Sequence, residues 1–215
     1  MSAGPARPRT EPAPMLSFAG DPPNVASLAG LLCATLGVYF AIRSVYPAAM
    51  IALLWAVVFD WADGRIARRM PGRTVEQAAF GAQLDSLIDV VSFSVAPAVL
   101  LLSVGRFSPW FLPGAFAVLA TGVIRLSYFN VFGLRDGSTY RGLALDNNVL
   151  LLGILFVLAP TMGSTTFSLL LYVALMVLAI LNVAPILTPK LGGRWFYAVV
   201  VYAALLTGMY CWQLT

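Results

Sequence analysis

The sequence contains no histidine. That absence excludes His-based nucleophile activation, imidazole metal ligands and imidazole proton shuttles. Cysteine is nearly missing as well: Cys33 and Cys211 are the only two, far apart in apolar runs and without CxxC spacing. They read as packing residues, so any metal chemistry falls to carboxylates. Charge is the third scarcity. Only 10% of the 215 residues are Asp, Glu, Lys or Arg, against about 25% in soluble domains. The net charge is +4, but the basic residues are too few and too spread out for a nucleic-acid footprint.

Apolar residues fill the space, at 60% of the chain, and the mean hydropathy is +0.87. Apolar segments run near 25–42, 46–64, 82–104, 110–130, 145–161, 166–187 and 195–213. Most approach the roughly 20 residues that a bilayer-spanning helix needs. A helix satisfies its own backbone in lipid, and no alternating ten-residue pattern suggests an outer-membrane barrel. The expected fold is all-α: a polytopic integral membrane helix bundle of six core transmembrane helices plus a seventh. Residues 1–22 are rich in Pro, Ala and Gly and lack an apolar core of signal-peptide length. They read as a disordered cytosolic N-terminal tail, with Met15 to Phe18 touching the interface, ahead of a transmembrane domain over 23–215.

Basic residues orient the bundle. With the N-terminus in the cytosol, only Arg43 and Arg106 of the 13 Lys and Arg residues fall outside. That asymmetry fits seven spans in the cell's inner (plasma) membrane. A six-span chain lacking 145–161 would move Lys190 and Arg194 outside.

Of the nine acidic residues, four are aspartates set in two close pairs. Asp60 and Asp63 are three apart at the end of the second span; Asp85 and Asp89 are four apart at the start of the third. Each pair lies on one helical face. The two spans are antiparallel neighbours, so all four carboxylates converge at one membrane boundary. In a low-dielectric setting they repel unless protonated or interleaved with cations. Oxygen-only ligands favour Mg²⁺, Mn²⁺ or Ca²⁺, and two such ions between carboxylates suit phosphoryl chemistry. Gly64 and Gly81 permit close approach of a backbone or ligand. Arg68, one turn beyond Asp63, is placed to meet phosphate oxygens. The bland alternative is a set of interfacial carboxylates paired with Arg65, Arg68 and Arg69; ionisable groups at membrane depth favour the functional reading.

The pattern Asp60-x2-Asp63-Gly64-x2-Ala67-Arg68-x12-Gly81-x3-Asp85-x3-Asp89 resembles the signature of the CDP-alcohol phosphotransferase (CDP-alcohol phosphatidyltransferase) family. The gap of 12 between Arg68 and Gly81 is longer than the family's usual spacing, with the extra residues near Met70 to Thr74. The run Phe80 to Leu102 is similar to that of bacterial and archaeal phosphatidylserine synthases, with Ser94 where that subgroup has glycine. Arg125 to Asn130, Pro23-Asn24-x-x-Ser27 and Tyr140 to Leu143 resemble further segments of it. Pro189-Lys190 faintly echoes a Tyr-Pro-Lys run. Ala144 and Asp146 stand where prolines are expected.

The resemblance implies transfer of a phosphatidyl group from CDP-diacylglycerol to an alcohol, L-serine first, with release of CMP. It implies that Asp60, Asp63, Asp85 and Asp89 hold two divalent ions (Mg²⁺ or Mn²⁺), with Asp89 as general base. It places Arg68 on the pyrophosphate, and Gly64, Ala67, Gly81, Asn24 and Ser27 around the CDP-lipid. A homodimer in the bilayer, with its active site facing the cytoplasm, is also implied. Inositol phosphate, glycerol phosphate or other amino or phosphonate alcohols are alternative acceptors.

Several polar residues keep two readings. Arg125 either binds the acceptor or snorkels to headgroups. Arg135 and Arg141 either bind the acceptor or serve topology alone. Asp146, with Asn147 and Asn148, either reads an ammonium group or caps the fifth span. A competing class is a divalent-cation transporter, which predicts acids at several depths; these four lie at one level.

Overall fold

The computed structural model describes residues 14–214. Residues 1–13 of the expected tail lie outside the described residues. The tail reading does not extend to residue 22, because Met15–Ala19 forms a short helix, α1, and Pro22 already opens the next. Phe18 stacks on Phe80 with ring centroids 5.1 Å apart, which fastens α1 to the bundle.

The further helices are α2 (Pro22–Ile42), α3 (Tyr46–Arg69), α4 (Val75–Val90), α5 (Ala96–Val104), α6 (Leu112–Phe132), α7 (Asp146–Val157), α8 (Ser164–Val183) and α9 (Trp195–Leu214). A π-helical segment, Val91–Val95, joins α4 to α5 into one span over Val75–Val104. Among the described residues, six helical stretches are long and apolar enough to cross a membrane. The fold is a multi-pass helical membrane bundle.

The expected seventh span is the short helix α7. Asp146 meets Trp61 on α3, and Phe156 meets Tyr46 at the opposite end of α3 with centroids 5.7 Å apart. Thus α7 runs antiparallel to α3 over nearly its whole length. α9 does the same on another side: Arg65 bonds Tyr197, and Trp55 Nε1 donates to Thr207 Oγ1 at 3.2 Å. α3 is therefore the central helix, and Leu53, Leu54 and Val57 on it are fully buried. In lipid, such contacts depend on close packing rather than on exclusion of water. Gly37 supplies one: a Cβ there would lie 2.6 Å from the Leu53 side chain, which would have to shift to admit it.

The link between α3 and α4 is shorter than the polar run 68–80 suggested. α3 continues to Arg69, and α4 starts at Val75 rather than near 82. Pro71-Gly72 cannot continue the helix, and Gly72 takes a φ of 80°. A capping box restarts it: Gln77 N donates to Thr74 Oγ1 at 3.2 Å, and Thr74 N to Gln77 Oε1 at 2.9 Å.

One non-helical element was not expected. Strand β1 (Thr139–Arg141) pairs antiparallel with β2 (Leu187–Pro189), Tyr140 opposite Thr188. This small sheet ties the α6–α7 loop to the α8–α9 loop.

Candidate active site

The end of α3 and the middle of α4 form the floor of a cavity of about 420 Å³. Asp60, Asp85 and Asp89 each turn a carboxylate oxygen into it, all within 4.8 Å of one another. The helical offsets explain this. Asp85 and Asp89 stack on one face of α4, and Asp60 faces them from α3. Asp63 lines the same cavity but is more deeply buried, and its carboxylate accepts a hydrogen bond from the Ser27 hydroxyl of α2. The expected four-carboxylate constellation is thus three converging groups plus a fourth tethered beside them.

The donor set fits a hard divalent cation. It is oxygen-only, and Asp89 Oδ1 is buried without a hydrogen-bond partner among the described residues. The cluster is able to hold a metal ion. Arg68 folds back along α3 over Gly64, where a Cβ would lie 3.2 Å from its Nη1. Both residues line the cavity.

The residues expected around the CDP-lipid divide. Gly64 and Arg68 reach the cavity, whereas Ala67, Gly81, Asn24 and Ser27 are not in its lining. Asn24 Nδ2 donates to the Phe18 carbonyl at 2.8 Å, holding α1 in place. Gly81 faces Arg73 and Asn24: a Cβ there would lie 2.8 Å from the Arg73 guanidinium and 2.9 Å from Asn24 Oδ1. Arg73 comes from the lengthened link. It pairs with the buried Asp21 at 2.8 Å and donates to the Gln77 carbonyl at 3.1 Å. The extra residues therefore lock α4 against the start of α2.

The acceptor candidates divide as well. Arg125 is buried on the cavity wall, its guanidinium 5.1 Å from the Tyr140 ring centroid and 5.6 Å from that of Phe129. Its Nε has no hydrogen-bond partner among the described residues. Asp146 lines the same wall and accepts from Trp61 Nε1 at 2.8 Å. Arg135 and Arg141, by contrast, stay outside. Arg135 lies 3.6 Å from Asp136 in an exposed turn, and Arg141 is exposed. Side chains alternate along a strand, so β1 turns Tyr140 to the cavity and Arg141 away.

Tyr140, Thr188 and Lys190 reach the cavity through the unexpected sheet. Burial, with Asp146 as the next cause, pushes the Tyr140 phenol up to about 12. Partial desolvation at the rim of the cavity also lowers the Lys190 ammonium, and Arg68 lowers it further.

The model of the CDP-alcohol phosphatidyltransferase family matches residues 22–209. The chain belongs to that family. It is similar to the archaetidylserine synthase of Methanothermobacter thermautotrophicus, 38% identical over 125 residues, covering 57% of this chain and 52% of that protein. It also resembles the CDP-diacylglycerol–serine O-phosphatidyltransferase of Mycobacterium tuberculosis, 32% identical over 119 residues, 54% of this chain and 39% of that protein. The enzyme of the same name from Methanocaldococcus jannaschii is 37% identical over 97 residues, 45% of this chain and 44% of that protein. The chain thus spans about half, or less, of the length of these curated relatives. In this family member, Asp60, Asp63, Asp85 and Asp89 all line the cavity.

Proposed function

We propose that this protein transfers a phosphatidyl group from CDP-diacylglycerol to L-serine and releases CMP. The observation that carries the reading is the convergence of Asp60, Asp85 and Asp89 within 4.8 Å on the floor of a cavity that also holds Arg68, Arg125 and Asp146. The names of the relatives favour serine over inositol phosphate, glycerol phosphate or other alcohols.

Asp60, Asp63, Asp85 and Asp89 would hold two divalent ions, Mg²⁺ or Mn²⁺. Such ions supply charge neutralisation of the diphosphate and polarisation of the phosphorus under attack. Arg68 grips a diphosphate oxygen. Gly64 keeps the helix surface low beneath it. Ser27 fixes the Asp63 carboxylate, and Asn24 with Gly81 keeps α1, α2 and α4 in register around the nucleotide end. Asp89 removes the proton from the acceptor hydroxyl as its oxygen attacks the β-phosphorus, and the bond to CMP breaks. Arg125 faces the serine carboxylate and Asp146 its ammonium.

The reaction takes place at a bilayer surface, with residues 23–215 acting as one transmembrane unit. The clustering of basic residues at the Asp end supports a cytoplasmic active site in the inner membrane. Homodimerisation follows from family resemblance. The test is CMP release by purified protein with CDP-diacylglycerol, Mg²⁺ or Mn²⁺, and a panel of alcohols. Release with serine supports the proposal. Release with inositol phosphate but not serine refutes the acceptor, and no release with any alcohol refutes the transfer itself.

A further inference from the structure

The two-stranded sheet brings one more cation, Lys190, to the cavity. Lys190 follows β2 directly. Its backbone N–H donates to the Ser138 carbonyl at 2.9 Å, and the neighbouring Thr188 Oγ1 donates to the Gly142 carbonyl at 2.6 Å. Gly142 in turn donates to the Ile186 carbonyl at 2.9 Å. The backbone that carries Lys190 is therefore fastened on both sides of β2, although the side chain sits exposed at the cavity mouth. Its Nζ lies 6.0 Å from the Tyr140 ring centroid, at the outer limit of a cation–π contact.

No contact ion pair among the described residues neutralises it. Lys190 has no carboxylate within 4.0 Å among the described residues. The charged groups it senses are Arg68, which repels it, and Asp85 on the floor. Arg68 likewise forms no ion pair among the described residues. Two cations thus reach the same mouth from unrelated elements, one from the end of α3 and one from a sheet that exists only through a loop-to-loop pairing. With the aspartate floor engaged by divalent ions, Lys190 and Arg68 would repel one another across the mouth, and an anion between them offsets that cost. The anion must be small, multiply charged and located above the carboxylate floor.

We infer that Lys190 and Arg68 form a two-sided clamp on the diphosphate of the CDP-linked substrate, with the β1–β2 sheet serving to hold Lys190 in place. The inference rests on the proposed use of a CDP-lipid. It adds a binding residue from the far end of the chain to a diphosphate subsite otherwise built from α3 and α4. An ammonium on a flexible stem serves as a point charge toward phosphate and tolerates small changes in its position.

The test uses the full-length chain in detergent with Mg²⁺ and two soluble probes, CDP and cytidine, followed by intrinsic tryptophan fluorescence. Lys190→Gln is expected to weaken CDP binding by about tenfold to a hundredfold, the range of one lost charge-assisted hydrogen bond. Cytidine binding and the KM for serine should stay unchanged, and Lys190→Arg should restore CDP binding to within about threefold. The exposed side chain makes misfolding an unattractive explanation, and an unchanged ligand-free melting temperature checks that. CDP binding indifferent to Lys190→Gln overturns the clamp. A raised serine KM with unchanged CDP binding also overturns it, because Lys190 would then read the acceptor carboxylate. If CDP binds through Lys190 but no CMP is ever released, the clamp stands and the proposed transfer falls. If transfer proceeds and CDP binding ignores Lys190, only the clamp falls.

Discussion

Trp61 Nε1 donates a 2.8 Å hydrogen bond to Asp146 Oδ2, joining the two walls of the cavity. Trp61 lies one residue beyond Asp60 on α3, and Asp146 opens α7. The bond sets the height of α7 against the aspartate floor and orients one carboxylate oxygen, leaving the other toward Asn147. In the proposed reaction this is the group that meets the serine ammonium. Asp146→Asn is expected to raise the KM for serine at least tenfold, while the KM for CDP-diacylglycerol changes less than about twofold. Trp61→Phe, which removes only the donor, should give a smaller shift in the same direction. Steady-state kinetics with each substrate varied in turn checks both.

Asp89 carries the heaviest chemical load. Asp89→Asn should lower kcat by about 10²–10⁴, the usual contribution of a positioned general base. CDP affinity should fall much less. A variant retaining full turnover would remove Asp89 from the proton transfer.

Chelation provides a separate handle on the floor. Treatment with EDTA should abolish CMP release, and added Mg²⁺ or Mn²⁺ should restore it. Asp60→Ala or Asp85→Ala should weaken Mn²⁺ binding, measured by electron paramagnetic resonance, even without substrate. Undiminished Mn²⁺ binding in both variants would contradict a metal role for the cluster.

Ser94 and Gly122 form a matched pair across α6. The Ser94 side chain occupies the space a Gly122 Cβ would take. The serine that departs from the subgroup's glycine is accommodated by a glycine on the facing helix. Gly122→Ala should destabilise the protein by about 1–3 kcal/mol through overpacking. Adding Ser94→Gly should recover most of that loss, as read from thermal unfolding in detergent.

Tyr140 makes a pH prediction. Burial raises its phenol to about 12, so the folded state holds this proton more tightly than the unfolded chain does. The associated stability is complete below about pH 10, the ordinary tyrosine value, and is lost as pH rises toward 12. Between pH 7 and 10 the Tyr140 hydroxyl stays protonated and adds no inflection to the pH–rate profile. Tyr140→Phe should give a profile of the same shape as the unaltered protein. An inflection that disappears in Tyr140→Phe would contradict this.

The sequence made some of this plain and hid the rest for physical reasons. The aspartate floor was legible because three- and four-residue spacings fix a helical face without reference to the rest of the chain. The six membrane-length helices were legible because apolar runs of about 20 residues mark spans without reference to the rest of the chain; the expected seventh, 145–161, is the shorter α7. The start of α4 was misjudged, although Thr74-x-x-Gln77 is a capping-box signal. The sheet had no local signature: two three-residue strands separated by some fifty positions show no alternation to detect. That hidden pairing determines which loop cations reach the cavity. It brings in Lys190 and leaves Arg135 and Arg141, which the sequence left open between acceptor binding and topology alone, outside the cavity lining. Likewise, Gly81 was expected to permit close approach of a backbone or ligand, and the groups that approach it are Arg73 from the lengthened link and Asn24.

The most direct measurement of the central claim is transfer of radiolabelled L-serine into chloroform-soluble lipid by purified protein supplied with CDP-diacylglycerol and Mn²⁺. Label should enter lipid in equal amount to the CMP released, and should fall at least a hundredfold in Asp89→Asn and to background in EDTA. Label that never enters lipid, or that enters undiminished with Asp89 replaced, would contradict the account.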